Sequence, residues 1–189
     1  MSGTGPGWLI RGAVLAGVVL LATACMHPLA DVPDVRTPNE VVREILKLAG
    51  VTRDDVVYDL GSGDGRIVIE AAREQGARGV GVEIDPRLIA ASERYARRAR
   101  VSDRVRFLQQ DLFQSDLREA TVVTLYLSNE LNLRLRPKLL KELKPGSRIV
   151  SHDFTMGDWP PIRSLRVQSS EREHMIHLWV VRPPGAGPR

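Results

Sequence analysis

The run from Val56 to Ala72 constrains the fold more than any other stretch of this chain. It joins a short apolar segment, Val56 to Leu60, to a helical pattern through the glycines at 61, 63 and 65. A short apolar run that ends in glycine is typical of a buried strand in a parallel sheet, and the apolar spacing after it is typical of a helix. The run therefore predicts a strand, a tight loop and a helix, with a ligand bound beside the loop.

Strand and helix patterns continue to alternate after this run. Further strands are predicted at 79–84, 105–109, 121–127 and 148–151, and a closing hairpin at 164–168 and 174–181. Helices are predicted from Thr37, as the capping residue, to Gly50, from Asp85 to Ala99, and over 133–143. This alternation predicts an α/β fold, a doubly wound and mostly parallel sheet with helices on both faces.

The N-terminal stretch is a candidate targeting segment. Residues 12–24 are apolar or small, with Arg11 before them and Cys25 after them. This length suits a signal-peptide core and is shorter than the roughly 20 residues that span a bilayer. Cys25 after a small-residue run resembles a bacterial lipoprotein box, and an uncleaved anchor over 8–29 is the alternative. We expect a signal or anchor segment at 1–25, a linker at 26–36, one domain at 37–183 and a tail at 184–189.

Charge and cysteine content exclude several kinds of protein. The net charge is +4, and the arginines are scattered along the chain, so no nucleic-acid partner is expected. The single cysteine excludes an internal disulfide framework and a cysteine-built metal site. We expect a monomer without a metal.

The spacing of the glycine loop distinguishes between two nucleotide ligands. A dinucleotide site has the pattern Gly-x-Gly-x-x-Gly/Ala, which lets a pyrophosphate lie at the helix N-terminus. In this chain Arg66 stands at the last position of that pattern, and the spacing is Gly-x-Gly-x-Gly over Gly61, Gly63 and Gly65. This pattern favours S-adenosylmethionine, which contains no phosphate.

Three carboxylates stand where this ligand needs them. Glu83 ends the second predicted strand and can accept hydrogen bonds from both ribose hydroxyls. Asp111 follows the third strand and can accept a bond from the adenine amino group. Asp59 precedes the loop and can pair with the ammonium of the methionine portion. Asp85 is interpreted as a helix cap, and Asp64 as a residue that shapes the turn.

With these residues in place, the chain resembles class I S-adenosylmethionine-dependent methyltransferases. More narrowly, it is similar to bacterial relatives of the mitochondrial lysine methyltransferases that act on the ATP synthase c-ring protein and the ADP/ATP translocase. The matching segments are 37–38, 59–69, 81–86, 103–107, 111–113, 120–127, 135–140, 143–146, 151–154 and 156–159. The resemblance implies a Rossmann-like sheet of seven strands with an antiparallel C-terminal hairpin, and it adds Thr37 and Leu112 to the donor site.

The resemblance also implies the acceptor, a lysine side chain of a protein, which we expect to be a membrane protein. Tyr126, Asn129 and His152 are the candidate catalytic residues, because they follow the fourth and fifth strands at the expected mouth of the site. The motif used to methylate planar amino groups is absent after the fourth strand. Arg36 and Asn129 replace prolines that the family pattern has at this mouth.

Two other functions remain open from the sequence alone. One is methylation of a small molecule, although the chain has little beyond the core fold to build a lid over such a substrate. The other is a non-catalytic envelope lipoprotein with a methyltransferase-like fold, because an exported enzyme would be separated from cytosolic S-adenosylmethionine. We expect membrane association through residues 8–25, with the domain on the cytoplasmic face.

Overall fold

The computed structural model describes residues 36–183. The predicted segments at 1–25 and 184–189, and nearly all of the predicted linker at 26–36, lie outside the described residues. Residues 36–183 contain four α-helices: α1 (Asn39–Leu48), α2 (Arg66–Glu70), α3 (Pro86–Arg98) and α4 (Asn129–Glu142). A π-helical turn, Ala71–Gln75, extends α2. The strands are β1 (Val56–Leu60), β2 (Arg78–Glu83), β3 (Val105–Gln109), β4 (Val122–Leu125), β5 (Arg148–His152), β6 (Arg163–Gln168) and β7 (Glu173–Val180). In this described part of the chain, no helix is long and apolar enough to cross a bilayer.

These seven strands form one sheet in the order β3-β2-β1-β4-β5-β7-β6. Strands β1 to β5 are parallel, and β7 pairs antiparallel with both β5 and β6. The predicted α/β sheet and its antiparallel C-terminal hairpin are therefore confirmed. The strand order reverses between β1 and β4, whose ends pair as Leu60 with Leu125. In a doubly wound sheet this reversal opens the crevice in which ligands bind.

Helix α1 packs its apolar face on the sheet. Val41, Val42, Ile45 and Leu46 are all buried, in one cluster with residues of β5 and β7. Fully burying an aliphatic side chain of this size contributes about 1.5 to 3 kcal/mol. The C-terminal end of α1 is held by Arg148, the first residue of β5, which donates to the carbonyl of Ala49 at 2.9 Å. The N-terminal end of α1 therefore lies over the carboxyl ends of the central strands.

Two helix starts differ from the sequence prediction. The predicted cap at Thr37 is wrong, because Pro38 occupies the N-cap position of α1 and no side chain caps this helix. Helix α4 begins at Asn129, four residues before the predicted start at Leu133. Ser128 caps α4, since its hydroxyl oxygen accepts from the Leu131 amide at 3.1 Å. The prediction that Asp85 caps α3 is confirmed by its bond from the Arg87 amide at 2.8 Å.

Candidate active site

The glycine loop lies between β1 and α2, at the crevice opened by the strand order. Gly61, Gly63 and Gly65 all have positive φ, at 79°, 53° and 77°. Such values cost an L-residue roughly 1 to 2 kcal/mol. A Cβ atom on Gly65 would also lie 2.5 Å from Cε1 of Phe107, closer than packed atoms come. The loop therefore requires glycine, and its main chain is left open to a ligand.

Glu83 is attached directly to this loop. One of its carboxylate oxygens accepts from the Gly63 amide at 3.0 Å, and the other accepts from the amides of Ile84 and Asp85 at 2.7 and 3.0 Å. These three backbone bonds fix the orientation of the carboxylate at the end of β2. This position beside the loop is the one that a ribose-binding residue needs.

Asp59 lies under the loop, on the central strand β1. Its side chain is buried and accepts from the Thr124 hydroxyl at 2.6 Å. Burial, together with the nearby carboxylates of Glu83 and Asp64, raises the pKa of Asp59 to about 7. A cation bound at this place would favour the ionised carboxylate, and the ammonium of an amino acid is such a cation.

Asp111 and Leu112 form the turn after β3. The Asp111 carboxylate accepts from the Phe113 amide at 2.9 Å, which fixes the turn. The preceding residue, Gln110, donates its amide to the carbonyl of Glu83 at 2.9 Å, so this turn and the end of β2 are adjacent. Leu112 is buried. The structure thus brings these two residues, both predicted to bind S-adenosylmethionine, to the same edge of the sheet as Glu83.

Arg66 links the loop to the segment that precedes α1. Its guanidinium pairs with the Asp64 carboxylate at 2.6 and 2.9 Å and donates to the Thr37 carbonyl at 2.7 Å. Asp64 therefore shapes the turn, as the sequence indicated, and it also orients Arg66. The sequence interpretation did not anticipate that Arg66 would bring Thr37 to the loop.

Tyr126 and His152 meet on the other side of the crevice. Their rings stack with centroids 3.8 Å apart, and Phe154 lies 6.0 Å from Tyr126. Burial raises the pKa of Tyr126, and the Asp153 carboxylate raises it further, so the phenol is protonated at neutral pH. Aromatic rings therefore line this side of the crevice.

His152 is fully buried, and both of its ring nitrogens have partners. Nδ1 lies 3.3 Å from the Thr37 hydroxyl, and Nε2 lies 2.9 Å from Nδ1 of His174. Burial lowers the pKa of His152 to about 4, so the imidazole is neutral at physiological pH. A catalytic base must reach the proton that it removes. Within residues 36–183, both ring nitrogens of His152 are already hydrogen-bonded, one to Thr37 and the other to His174.

Asn129 holds the loop after β5. Its side-chain oxygen accepts from the Thr155 amide at 2.9 Å and lies 3.4 Å from the Thr155 hydroxyl. Asn129 is exposed at the first position of α4. Asn129 therefore lies at the start of α4, beyond the carboxyl end of β4, and fixes the position of a neighbouring segment.

The β6–β7 hairpin supplies residues that the sequence interpretation missed. Arg172 donates to the Tyr126 hydroxyl at 3.1 Å and pairs with Asp153. Burial alone would raise the pKa of Asp153, but the bonds from Arg172 and the Met175 amide hold it below its usual range. One signal was available in the sequence: His174 shares the alternating face of β7 with the core residues Ile176 and Leu178. A polar residue at such an inward position requires a partner.

His152, Asp153 and His174 bring three groups of metal-ligand type within 4.8 Å of one another. The two imidazoles are hydrogen-bonded to each other, and the Arg172 guanidinium lies on the Asp153 carboxylate. A guanidinium at this position repels a second cation. The hydrogen-bonding atoms of these three residues are therefore occupied by one another and by Arg172.

The residues around the loop fit S-adenosylmethionine. The loop offers main chain without side chains, Glu83 offers carboxylate oxygens to a ribose, and Asp59 offers a carboxylate that a cation would ionise. The Ser62 hydroxyl is buried without a hydrogen-bond partner among residues 36–183. A polar ligand at the loop could form hydrogen bonds with the loop main chain, the two carboxylates and the Ser62 hydroxyl.

Comparison with known proteins agrees with this geometry. A family model described as the ANTKMT methyltransferase domain matches residues 59–163. A protein-lysine N-methyltransferase of Saccharolobus islandicus is 43% identical over 157 residues, which cover 82% of this chain and 98% of the relative. The adenine nucleotide translocase lysine N-methyltransferase of Mus musculus is 34% identical over 159 residues, with 84% of this chain and 66% of the relative covered.

A solved structure is similar over the same region. It is described as an RNA methyltransferase from Salinibacter ruber in complex with S-adenosyl-L-homocysteine. It is 50% identical to this chain, with a TM-score of 0.74, and the match covers 82% of this chain and all of that one. S-adenosyl-L-homocysteine is the donor without its methyl group.

Proposed function

Because the chain belongs to the ANTKMT methyltransferase family and is an S-adenosylmethionine-dependent enzyme, we propose that its acceptor is a lysine side chain of a protein. The observation that supports this acceptor most is the 43% identity to the archaeal protein-lysine N-methyltransferase, over almost the whole length of that relative. The two chains match across the crevice as well as around the glycine loop, because the match covers 82% of this chain.

The donor side of the crevice fixes the methyl source. When bound, S-adenosylmethionine supplies a methyl group on a positively charged sulfur, which an amine can attack. Glu83 would hold the ribose, Asp111 and Leu112 would hold the adenine, and Asp59 would pair with the ammonium. The loop of Gly61, Gly63 and Gly65 lets the main chain approach the ligand. Fixed placement of this kind lowers the barrier of a two-reactant step because orientation is established on binding.

The acceptor side must present lysine as a neutral amine. Free lysine has a pKa of about 10.4, so the ammonium has to lose one proton before its nitrogen can form the new bond to carbon. An apolar surface favours the neutral amine because desolvation penalises the charged form. Tyr126 and Phe154 supply this surface, and Asn129 at the mouth supplies a polar contact. The side chain of an extended lysine can reach such an opening.

A methyl-transfer experiment with the full chain tests the proposal. The enzyme is incubated with isotopically labelled S-adenosylmethionine and extracts of its own host, and labelled residues are identified by mass spectrometry. We expect methyl-lysine in one or a few proteins, and loss of labelling when that lysine is changed to arginine. Calorimetric titration with S-adenosylmethionine is run in parallel. Donor binding without any labelled lysine would overturn the lysine acceptor and leave the methyltransferase class intact.

RNA is the second candidate acceptor. It is supported by the 50% identical structure described as an RNA methyltransferase, and α3 carries an exposed basic face that includes Arg94, Arg97 and Arg98. Against it, the residues that follow β4 are Tyr126, Leu127, Ser128 and Asn129, which lack the motif for planar amino acceptors. Treating the labelled extract separately with protease and with ribonuclease distinguishes the two. If the label resists protease and is removed by ribonuclease, the methyl acceptor is RNA and not a lysine side chain.

We propose further that residues 8–25 attach the enzyme to a membrane, with the domain on the cytoplasmic face where the donor is made. The apolar run at 12–24 and Cys25 support attachment. Intact-mass analysis of the N-terminus from membrane fractions measures cleavage and lipidation. We expect an unlipidated N-terminus retained on the membrane. A lipidated Cys25 at a cleaved N-terminus would contradict the cytoplasmic placement.

A further inference from the structure

Arg172 reaches the acceptor side of the crevice from the β6–β7 hairpin. Its guanidinium donates to the Tyr126 hydroxyl at 3.1 Å and pairs with the Asp153 carboxylate. The direction of the bond to Tyr126 is fixed, because a guanidinium has no acceptor atom and stays protonated in proteins. Another nitrogen of the same guanidinium donates to the Glu173 carbonyl at 2.9 Å. Arg172 is therefore held in one place beside the Tyr126 hydroxyl.

Asp153 is the carboxylate that faces the same hydroxyl. Burial raises the pKa of Tyr126 most, and Asp153 raises it further by its charge and by accepting a hydrogen bond from the phenol. Arg172 acts on Tyr126 in the opposite direction. The Asp153 carboxylate is fixed by the Met175 amide, which donates to it at 2.9 Å. One negative and one positive charge therefore meet at Tyr126 and largely cancel.

The two imidazoles packed near Tyr126 carry no charge. His152 stacks on the Tyr126 ring, with centroids 3.8 Å apart, and bonds to His174. Burial lowers the pKa of both histidines, so both are neutral at physiological pH. Among residues 36–183, Asp153 and Arg172 are therefore the charges that act on the Tyr126 hydroxyl. Further charged residues of the adjoining segments, which are exposed to solvent, are Glu130, Glu171 and Glu173.

An amine bound by the Tyr126 hydroxyl would lie close to this ion pair. A hydrogen bond from nitrogen to oxygen is about 2.9 Å long, so such an amine lies at most about 6 Å from the guanidinium nitrogen that donates to Tyr126. An uncompensated carboxylate nearby would favour the ammonium form of a lysine, which has no lone pair with which to attack a methyl group. Arg172 offsets the charge of that carboxylate.

We propose that Arg172 promotes methyl transfer by cancelling the charge of Asp153 at Tyr126, so that the acceptor lysine loses its proton there. Arg172 is a positioning residue in this role, which rests on the lysine acceptor proposed above. The ammonium releases its proton to water, which reaches this place because 48% of the Arg172 side chain is exposed. The neutral nitrogen forms a bond to the methyl carbon as the carbon–sulfur bond breaks, and the electron pair of that bond stays on sulfur. The methylated nitrogen then carries the positive charge.

The pH dependence of a single turnover tests this role. The full chain, loaded with S-adenosylmethionine, is mixed with a saturating amount of the acceptor protein that the labelling experiment identifies, between roughly pH 6 and pH 10. The rate should rise with pH as the bound lysine loses its proton. We expect Arg172→Gln to move this rise about one pH unit higher, because the Asp153 charge is then uncompensated. A rise at the same pH in Arg172→Gln would overturn the proposal.

Three further variants separate charge from structure. Arg172→Lys keeps the positive charge and should leave the rise at its original pH. Asp153→Asn keeps an oxygen for the Met175 amide, and asparagine tolerates the positive φ of 62° at this position. This variant should move the rise to lower pH, and the double variant, Arg172→Gln with Asp153→Asn, should return it to near its original pH. A double variant displaced as far as Arg172→Gln alone would assign Arg172 a structural role and overturn the proposal.

Titration of the Tyr126 phenol tests the same charges without an acceptor. Nuclear magnetic resonance of carbon-labelled tyrosine, with Tyr126→Phe for assignment, measures this pKa. We expect it to rise by up to about one unit in Arg172→Gln and to fall in Asp153→Asn. Arg166→Gln, at an exposed arginine that pairs with Glu173 on the same hairpin, is the matched control and should leave the Tyr126 pKa unchanged. Equal titration of Tyr126 in Arg172→Gln and in the unchanged chain would also overturn the proposal.

The two measurements separate failure of this role from failure of lysine methylation. If no lysine is methylated, the proposed acceptor is wrong and the role of Arg172 falls with it, whatever the titration of Tyr126 shows. If lysine is methylated and the rise does not move in Arg172→Gln, the role of Arg172 alone is wrong.

Discussion

The two sides of the crevice are built in different ways. On the donor side, carboxylates bond to nearby backbone amides, as Glu83 does to Gly63 over 20 residues of sequence. On the acceptor side, side chains bond to side chains across longer separations, 46 residues for Tyr126 and Arg172. Two long-range contacts depart from this division: Asp59 bonds to Thr124 on the donor side, and Thr37 contacts His152 between the two sides. The donor site is therefore encoded mainly by local sequence, whereas the acceptor site depends on assembly of the whole sheet. Substitutions away from these two contacts should leave the opposite side largely unchanged.

The largest effect is expected from Gly65→Ala, which breaks the donor side at its backbone. The added Cβ meets Phe107 in addition to the cost of positive φ, so we expect the free energy of unfolding to fall by about 3 kcal/mol. Gly50→Ala is the matched control, because Gly50 has a φ of 59° and nothing lies within 4 Å of its added Cβ. That control should lose only about 1 to 2 kcal/mol, the cost of positive φ alone. Denaturant unfolding measures both, and equal losses would mean that contact with Phe107 has no effect.

The next effect is expected from Glu83→Gln, which changes donor affinity and leaves the fold in place. The side-chain amide nitrogen that replaces one carboxylate oxygen can only donate, so it accepts neither from a ribose hydroxyl nor from the Gly63 amide. We expect a 10- to 100-fold weaker affinity for S-adenosylmethionine, from a loss of about 1.5 to 3 kcal/mol. Glu119→Gln, at an exposed carboxylate paired with Arg106, is the control. Unchanged affinity in Glu83→Gln would show that this carboxylate does not contact the ribose.

A pH dependence of donor affinity should follow from Asp59. Its pKa of about 7 lies above the unfolded value, so its contribution to stability is complete below pH 4 and is lost as the pH rises through about 7. The donor's ammonium favours the ionised carboxylate, so affinity should fall roughly tenfold per unit as the pH drops below 7. Calorimetry between pH 5.5 and 8 measures the slope. Asp59→Asn should abolish the slope, and a slope that survives in this variant would point to another group.

The smallest effect is expected from Asn129→Ala, which affects the acceptor side alone. Loss of its bond to the Thr155 amide should raise the KM for the protein acceptor about threefold, as for one exposed hydrogen bond. Asn129→Asp keeps the accepting oxygen and should retain the KM. Donor affinity should be unchanged in both variants. A loss of donor affinity in Asn129→Ala would mean that the two sides are coupled.

The fold was largely predictable because its signals are local. Each strand of the parallel sheet is a short apolar run beside a turn signal, and Asp85 followed by Pro86 marks a helix start within two residues. Local signals can also conflict. Thr37 and Pro38 have the pattern of a capped helix start, but a long-range partner, His152, takes the Thr37 hydroxyl. At α4, Ser128 caps the helix and the sequence interpretation overlooked it, because Leu133 is the start of the more evident apolar pattern.

The sequence marks the donor side of the candidate site with local signals. The glycine spacing and the strand-end carboxylates predict Gly63, Glu83 and Asp111 as donor-binding residues without knowledge of other strands. No spacing connects Arg172 to Tyr126, or Ser169 to His174 and His152, because these contacts arise only when β7 inserts between β5 and β6. Residues of this kind become visible when the topology is known. Their sequence signal is limited to a polar residue on an inward face.

Asp153 has a positive φ of 62°, in a conformation that glycine adopts without cost. A glycine there would relieve roughly 1 to 2 kcal/mol of backbone strain and would remove the charge that faces His152, Arg172 and Tyr126. The same substitution would lose the bond from the Met175 amide at 2.9 Å and the ion pair with Arg172, so the backbone strain at Asp153 is offset by its side chain. Position 153 is therefore free to change to glycine only after the hairpin contacts are lost, whereas the glycines of the loop are required by the fold itself.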